Sequence, residues 1–484
     1  MKTREPFTVE FHAEAVARFS SLAKEVLNSV RSFVSVAPPN SGGAEIHPVA
    51  HISAADIIGE VEVRESSFNG LGVEVGRYWN SKGLRVGWEG PEFDAVKNLA
   101  LRFGNATPIK GRVSDSFLID EVFKWLRETL EQRRSDELHT YIAQRCSSEI
   151  KDYEIWVPVF RTYSAADFKI GSVDFRTVTK AMMDRCYERV PEDVASRPDV
   201  ALTLSRQRSR IQGSLAACIR ARAELKNAKQ IAQSATDEAI GLLRFLSKVN
   251  LTCRLVSHCL PVGRENTLLA MELFVEDDAI TSISNASIEQ GPAGWSIDEA
   301  RSYWPGILES LDRLASDRET TQFRSDLYGA LQLHSRQSVA ADIPQKMLFV
   351  VAAIESLLLK DSHEPIQKNL GERMAFLIGD SLPARKEIVR NVEDFYRIRS
   401  DFFHHGESVR AEETDVIDKF FFSVWFSLTR LLAQVDQYST KEQLLASLDD
   451  IKFSGPTFAS IQTPPGAPSK LCLGGDFDVH PSQM

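Results

Sequence analysis

The chain has 484 residues, 43% of them apolar and 26% charged, with a net charge of −10. That length exceeds one ordinary hydrophobic core and implies two or three globular domains. The acidic balance excludes broad, charge-driven coating of a nucleic-acid duplex, which needs many Lys and Arg to displace counterions, but it leaves room for one local phosphate site.

No apolar run reaches the length of a membrane span, and "MKTREPFTVEF" is not followed by the apolar segment of a secretory signal. Six scattered cysteines make no disulfide framework, so the expected compartment is the cytoplasm. Cys253, His258 and Cys259 in "CRLVSHC" lie in an apolar, β-branched run with no fourth ligand nearby. They read as small buried side chains rather than a zinc site. No metal or cofactor is expected.

In chain order, "AEAVARFSSLAKEVLNSVRSFV" (13–34) has helical periodicity, and "APPNSGG" is a loop. "IIGEVEVRE" and "LGVEVGRYW" read as strands. "FLIDEVFKWLRETLEQRR" is an amphipathic helix, and Ser135 is placed to cap another running to Glu149. "YEIWVPVFRTY" and "FKIGSVDFRTV" read as a strand pair, and residues 201–248, rich in Ala and Arg, as one or two long helices. "NLTCRLVSHCLPV" and "TLLAMELFVED" return to strand character. The fold class is therefore multidomain: an α+β region over 1–290 that carries no recognisable reaction motif, then a helical region over 291–450.

In that second region, Ser296 and Glu299 fit a capping box. Helices are expected over 297–315, 317–338, 345–360, 365–379, 385–405 and 412–437, joined by short polar links as in a bundle. Residues 451–484, rich in Gly, Pro and Ser, carry no expected packed fold.

One of these helices carries the functional question. At 100° per residue, "RKEIVRNVEDFYRIRSDFFHHG" sets Ile388, Val389, Val392, Phe395, Tyr396, Phe402 and Phe403 on one stripe, with Arg399 near its middle. Arg397 points away, towards Asp401. Gly406 suits the left-handed residue after the helix. A cation on an apolar stripe needs a carboxylate or a groove that an anion can reach. "MLFVVAAIESLLLK", apolar on nearly every side, offers Glu355 as a structural partner. A Glu355–Arg399 ion pair and an anion site both fit the spacing.

Arg399-Ser400-Asp401-Phe402-Phe403-His404 matches the R-x4-6-H pattern of HEPN domains. Together with "AAIESLLL" and "LGERMAFLIGD" on the two preceding helices, residues 325–440 resemble the Apea-like branch of that superfamily. The resemblance implies a dimerising all-α bundle in which two motifs meet in one cleft. It implies a metal-independent endoribonuclease acting on single-stranded RNA, as a prokaryotic antiviral-defence or toxin effector, with an antitoxin or other regulatory partner. The ribose 2′-OH attacks the adjacent phosphate, leaving 2′,3′-cyclic phosphate and 5′-OH ends. His404 then serves as general base or acid and Arg399 holds the scissile phosphate, with Ser400 and Asp401 in support. The sequence departs from the commoner pattern by placing Ser after the arginine. Arg397 with His404, or with the neighbouring His405, offers an alternative register. The competing reading is a non-catalytic dimerisation or nucleotide- or RNA-binding module that keeps Arg399 for a structural ion pair. On the ribonuclease reading residues 1–290, whose role the residues themselves do not give, are the candidate sensing or regulatory part.

Overall fold

A computed structural model describes residues 7–33, 65–81, 84–190, 192–195, 197–257, 259–261, 269–276, 279–287, 295–340, 342–361 and 363–454. The chain forms two compact units. Unit 1 comprises Met1–Ile155, Cys186–Arg210 and Arg220–Ala232, and unit 2 comprises Trp156–Arg185, Ile211–Ile219 and Gln233–Met484. The division is thus not a single cut near residue 290, because strands before that point belong to the unit that holds the bundle.

Unit 1 opens with α1 (Ala13–Asn28), β1 (Arg31–Phe33), β2 (Glu65–Phe68), β3 (Glu74–Ser81) and β4 (Leu84–Glu89). These strands form an antiparallel sheet of order β1-β4-β3-β2. The periodic run of 13–34 therefore splits: α1 stops at Asn28, and Arg31–Phe33 pairs with β4 in the register Arg31↔Gly87. Residues 57–64 of the first expected strand, "IIGEVEVRE", lie outside the described residues. Helices α2 (Pro91–Gly104), α3 (Asp115–Leu130) and α4 (Leu138–Glu149) follow. Trp88, Phe93, Phe103, Leu118 and Leu126 are fully buried between these helices and the sheet. Ser114 caps α3 by accepting from Phe117 N at 3.3 Å. Ser135 caps nothing. The N-cap of α4 is Glu137, without a side-chain bond, and the preceding turn is held by Trp125 Nε1 donating to Asp136 O at 3.1 Å.

Next come β5 (Lys151–Pro158), β6 (Thr162–Tyr163), β7 (Phe168–Ile170), β8 (Val173–Thr177), α5 (Lys180–Tyr187), α6 (Glu192–Ala195), α7 (Pro198–Ile211), β9 (Leu215–Ala223) and α8 (Leu225–Phe245). The stretch 201–248 is therefore not purely helical. Leu215–Cys218 pair with β8, Asp174 facing Cys218, and are buried. Tertiary pairing there overrides the helix preference of an Ala-rich segment. The expected strand pair around 153–177 is also rearranged: the sheet order is β5-β9-β8-β7, with β9 between its members.

Among the described residues of "NLTCRLVSHCLPV" the regular structure is the end of a 3-10 turn, Lys248–Leu251, and an isolated bridge from Pro261 to Val159. The segment is fixed by side chains instead: Asp418 accepts from Cys253 N at 2.6 Å and Thr252 Oγ1 at 3.0 Å, and Gln337 Nε2 donates to Asn250 Oδ1 at 2.7 Å. Strands β10 (Leu269–Glu276) and β11 (Ala279–Ser287) form a hairpin, and β12 (Trp295–Ser296) pairs in parallel with β6.

The helical part contains α9 (Ile297–Tyr303), α10 (Ile307–Ser316), α11 (Gln322–Gln337), α12 (Ile343–Leu358), α13 (Ile366–Ile378), α14 (Leu382–His405), α15 (Thr414–Ala433) and α16 (Lys441–Ser454). The expected helix 297–315 is broken at Trp304-Pro305-Gly306, where Gly306 has φ +85°. Ser296 accepts from Asp298 N at 3.3 Å, while the Glu299 carboxylate meets Lys248 Nζ at 2.6 Å, so the expected box is not what starts α9. Residues 451–454, expected to begin an unpacked tail, complete α16; 455–484 lie outside the described residues. No described helix is long and apolar enough to cross a membrane.

Candidate functional site

The site is built on α14. Ser381 caps its start by accepting from Ala384 N, with Pro383 in the first turn, where its missing N–H costs nothing. Gly406, at φ 70° and ψ 19°, ends it; its N–H donates to Phe402 O at 3.0 Å. Ile388, Val392, Phe395 and Ile398 are the buried seam, and the Phe395 ring stacks on Phe420 of α15 with centroids 3.7 Å apart. Asn391 Nδ2 adds a bond to Val416 O at 3.0 Å. Packing thus fixes the roll of α14 up to Ile398. Its last turn runs past the core, leaving Phe403 38% exposed and His404 and His405 exposed.

Arg399 is half-buried at that transition. Its Nε is buried and has no hydrogen-bond partner. Its Cζ lies 5.8 Å from the Tyr396 ring centroid and 5.7 Å from that of Phe403, within cation–π range. Among the described residues it meets no carboxylate. The expected Glu355–Arg399 ion pair is not formed. Glu355 instead accepts a 2.5 Å hydrogen bond from the Tyr396 hydroxyl. Burial, and after it this bond to the Glu355 carboxylate, push the Tyr396 phenol well above its ordinary range. Tyr396 therefore takes the carboxylate intended for the arginine, because a buried phenol needs an acceptor and reaches Glu355 first.

Arg397 behaves as its spacing implies. It is exposed and sits 3.8 Å from both Asp394 and Asp401. It faces these two aspartates in solvent and shares a helical face with His404. Ser400 is half-buried. Neither His404 nor His405 bonds to another described residue. The structure thus brings Arg399, Tyr396, Phe403 and, through the phenol, Glu355 together, with the two histidines on the turn that follows.

The neighbouring helices present a partly open face. Helix α12 was expected to be buried on nearly every side, but Leu348 is 43% exposed and Ala352 and Ser356 are exposed. Glu355, three residues after Ala352, is half-buried on the same side. In "LGERMAFLIGD" the functional-looking charge is structural: Arg373 bonds to both Glu364 oxygens, at 2.7 and 3.0 Å, and donates to Leu358 O at the end of α12. Burial opposes ionisation of Glu364, yet the bonds from Arg373, Lys360 N and Asn369 hold its carboxyl below the ordinary range.

Cys253 and Cys259 are buried, as expected of small apolar side chains. Burial raises their thiols to about 12 and about 11. His258 lies outside the described residues, and no group of three metal-ligating side chains occurs among the described ones. In comparisons with known proteins, no family profile, no curated sequence and no solved structure matches this chain.

Proposed function

We propose that the helical part of unit 2 is a HEPN-type endoribonuclease bundle that cleaves single-stranded RNA through Arg399 and His404. The observation that carries this reading is the state of Arg399: a half-buried guanidinium that meets no carboxylate among the described residues, held between two rings one turn before exposed histidines. A cation kept in that setting is ready for an external anion, and a phosphate diester supplies one.

In this reading the imidazole of His404 takes the proton from the ribose 2′-OH. The 2′ oxygen attacks phosphorus, the P–O5′ bond breaks, and the departing 5′ oxygen receives a proton from a second acid. Arg399 stabilises the negative charge that grows on the phosphoryl oxygens. The second acid is a histidine of a second copy of the chain, seated against the open face that includes Leu348 and Ala352.

The products identify the chemistry. Purified protein incubated with mixed single-stranded RNA in the presence of a chelator should yield fragments with 2′,3′-cyclic phosphate and 5′-OH ends. Fragments with 5′-phosphate ends would reject transesterification, and intact RNA would favour a non-catalytic binding module.

A further inference from the structure

Unit 1 holds a cavity of about 650 Å³ between the face of β3 and one side of α3. That volume is typical of small-molecule sites. Its wall mixes aromatic rings (Trp79, Phe117, Phe123) with an unusual density of charge. Most of that charge is already matched. Arg77 is bonded to Glu74 and Asp120 at 2.8 Å each. Arg145 bonds to Glu121 at 3.0 Å and lies 3.3 Å from Glu149, and Arg133 pairs with Glu131. Two cations remain.

Lys124 and Arg127 both line the cavity, one turn apart on α3, and neither makes an ion pair or a side-chain hydrogen bond among the described residues. Arg127 Nε is buried without an acceptor, and so is Trp79 Nε1 in the opposite wall. Buried donors without acceptors are uncommon in a finished interior. The chain as a whole carries net charge −10, whereas the lining of this pocket holds five cations against four carboxylates. Side chains three residues apart on a helix lie about 5–6 Å apart at Cβ, a span that one phosphate group can bridge.

We infer that this cavity binds a phosphomonoester of nucleoside-monophosphate size, its phosphate dianion between Lys124 and Arg127 and its ring against the aromatic wall. Lys124 and Arg127 are the two lining cations without a carboxylate among the described residues, and the volume admits a ring and a sugar beside a phosphate. Exposed Lys124 supplies a mobile point charge, while half-buried Arg127 supplies a fixed fork. Arg399 and His404 lie in unit 2 and take no part in this binding, which stands or falls without the ribonuclease reading.

The test is calorimetric titration of the full chain with each of the four ribonucleoside monophosphates, the four matching nucleosides and inorganic phosphate. At least one monophosphate should bind, and its nucleoside at least about ten-fold more weakly, as loss of charge-assisted bonds requires. Lys124→Gln combined with Arg127→Gln should weaken that monophosphate by at least about ten-fold. Lys24→Gln, a charge change elsewhere in unit 1, should leave it unaltered. If the double variant melts earlier than wild type, Lys124→Gln alone, at an exposed side chain, makes the same comparison. Absence of binding by all four monophosphates up to about 5 mM would overturn the inference. So would equal affinity for the nucleoside, or an undiminished affinity in the glutamine variants.

Discussion

Arg397 and Arg399 are two residues apart and carry the same charge, but their surroundings give them different chemistry. Arg397 lies 3.8 Å from each of two aspartates, in water, where such pairs contribute little and are easily exchanged. Among the described residues Arg399 meets the rings of Tyr396 and Phe403 and no carboxylate. Arg397→Ala should therefore leave RNA cleavage within about three-fold of wild type, whereas Arg399→Ala should lower it by about a hundred-fold or more, the usual scale for losing a transition-state charge partner. Equal losses in the two variants, measured as initial rates, would place the working cation at Arg397. His334 offers a second residue-level prediction. It is fully buried against Phe245, both ring nitrogens lack partners, and burial lowers its imidazole from 6.5 to about 3. The folded protein therefore refuses a proton that the unfolded chain accepts. Stability is complete above about pH 6.5 and falls as the pH drops below it, by about 2 kcal/mol at pH 5 from this group alone. Denaturant melts at pH 7 and pH 5 should show that His334→Leu removes this part of the acid sensitivity. An unchanged difference between the two pH values would assign it to other groups.

At the scale of the element, α14 was legible from sequence because several independent signals coincide on it. Ile388, Val392 and Phe395 recur at helical spacing, Gly406 marks its end, and the Arg397–Asp401 pair lies four residues apart, although the helix starts at Leu382 behind the Ser381 cap and not at the expected 385. Strand β9 was not legible, since "LAACIRARA" carries good helix formers and is made a strand by pairing with β8. The partner of Glu355 was misread for a related reason: helical angles say which residues share a face, but not which of two candidates reaches a carboxylate. Gly406→Ala isolates one of the correct readings. A Cβ at Gly406 meets open space, so the cost is the left-handed backbone alone, about 1 kcal/mol, visible as a small shift in the melting midpoint. Arg373→Ala should cost about 3 kcal/mol or more, because it strands the Glu364 carboxylate and a carbonyl at the end of α12. A change below about 1 kcal/mol would mean that water replaces the guanidinium there.

For the whole molecule, length implies several domains and the residue patterning an α+β part ahead of a helical part, and the elements follow that order along the chain. The boundary itself was hidden, because strands near residues 162–177 and 215–219 belong to the unit that contains the bundle, and no local signal records which distant segment a strand joins. The ribonuclease reading also needs a second copy. Light scattering at micromolar concentration should give a dimer, and Leu348→Glu, at a side chain 43% exposed on α12, should shift it towards monomer. A dimer indifferent to that charge would be built on another face. The most direct measurement of the central claim is the rate at which wild type and His404→Ala, matched in melting temperature, cut the same single-stranded RNA in chelator. The account predicts cleavage by wild type and a fall of at least about a hundred-fold in the variant; equal rates, or RNA left intact by both, would contradict it.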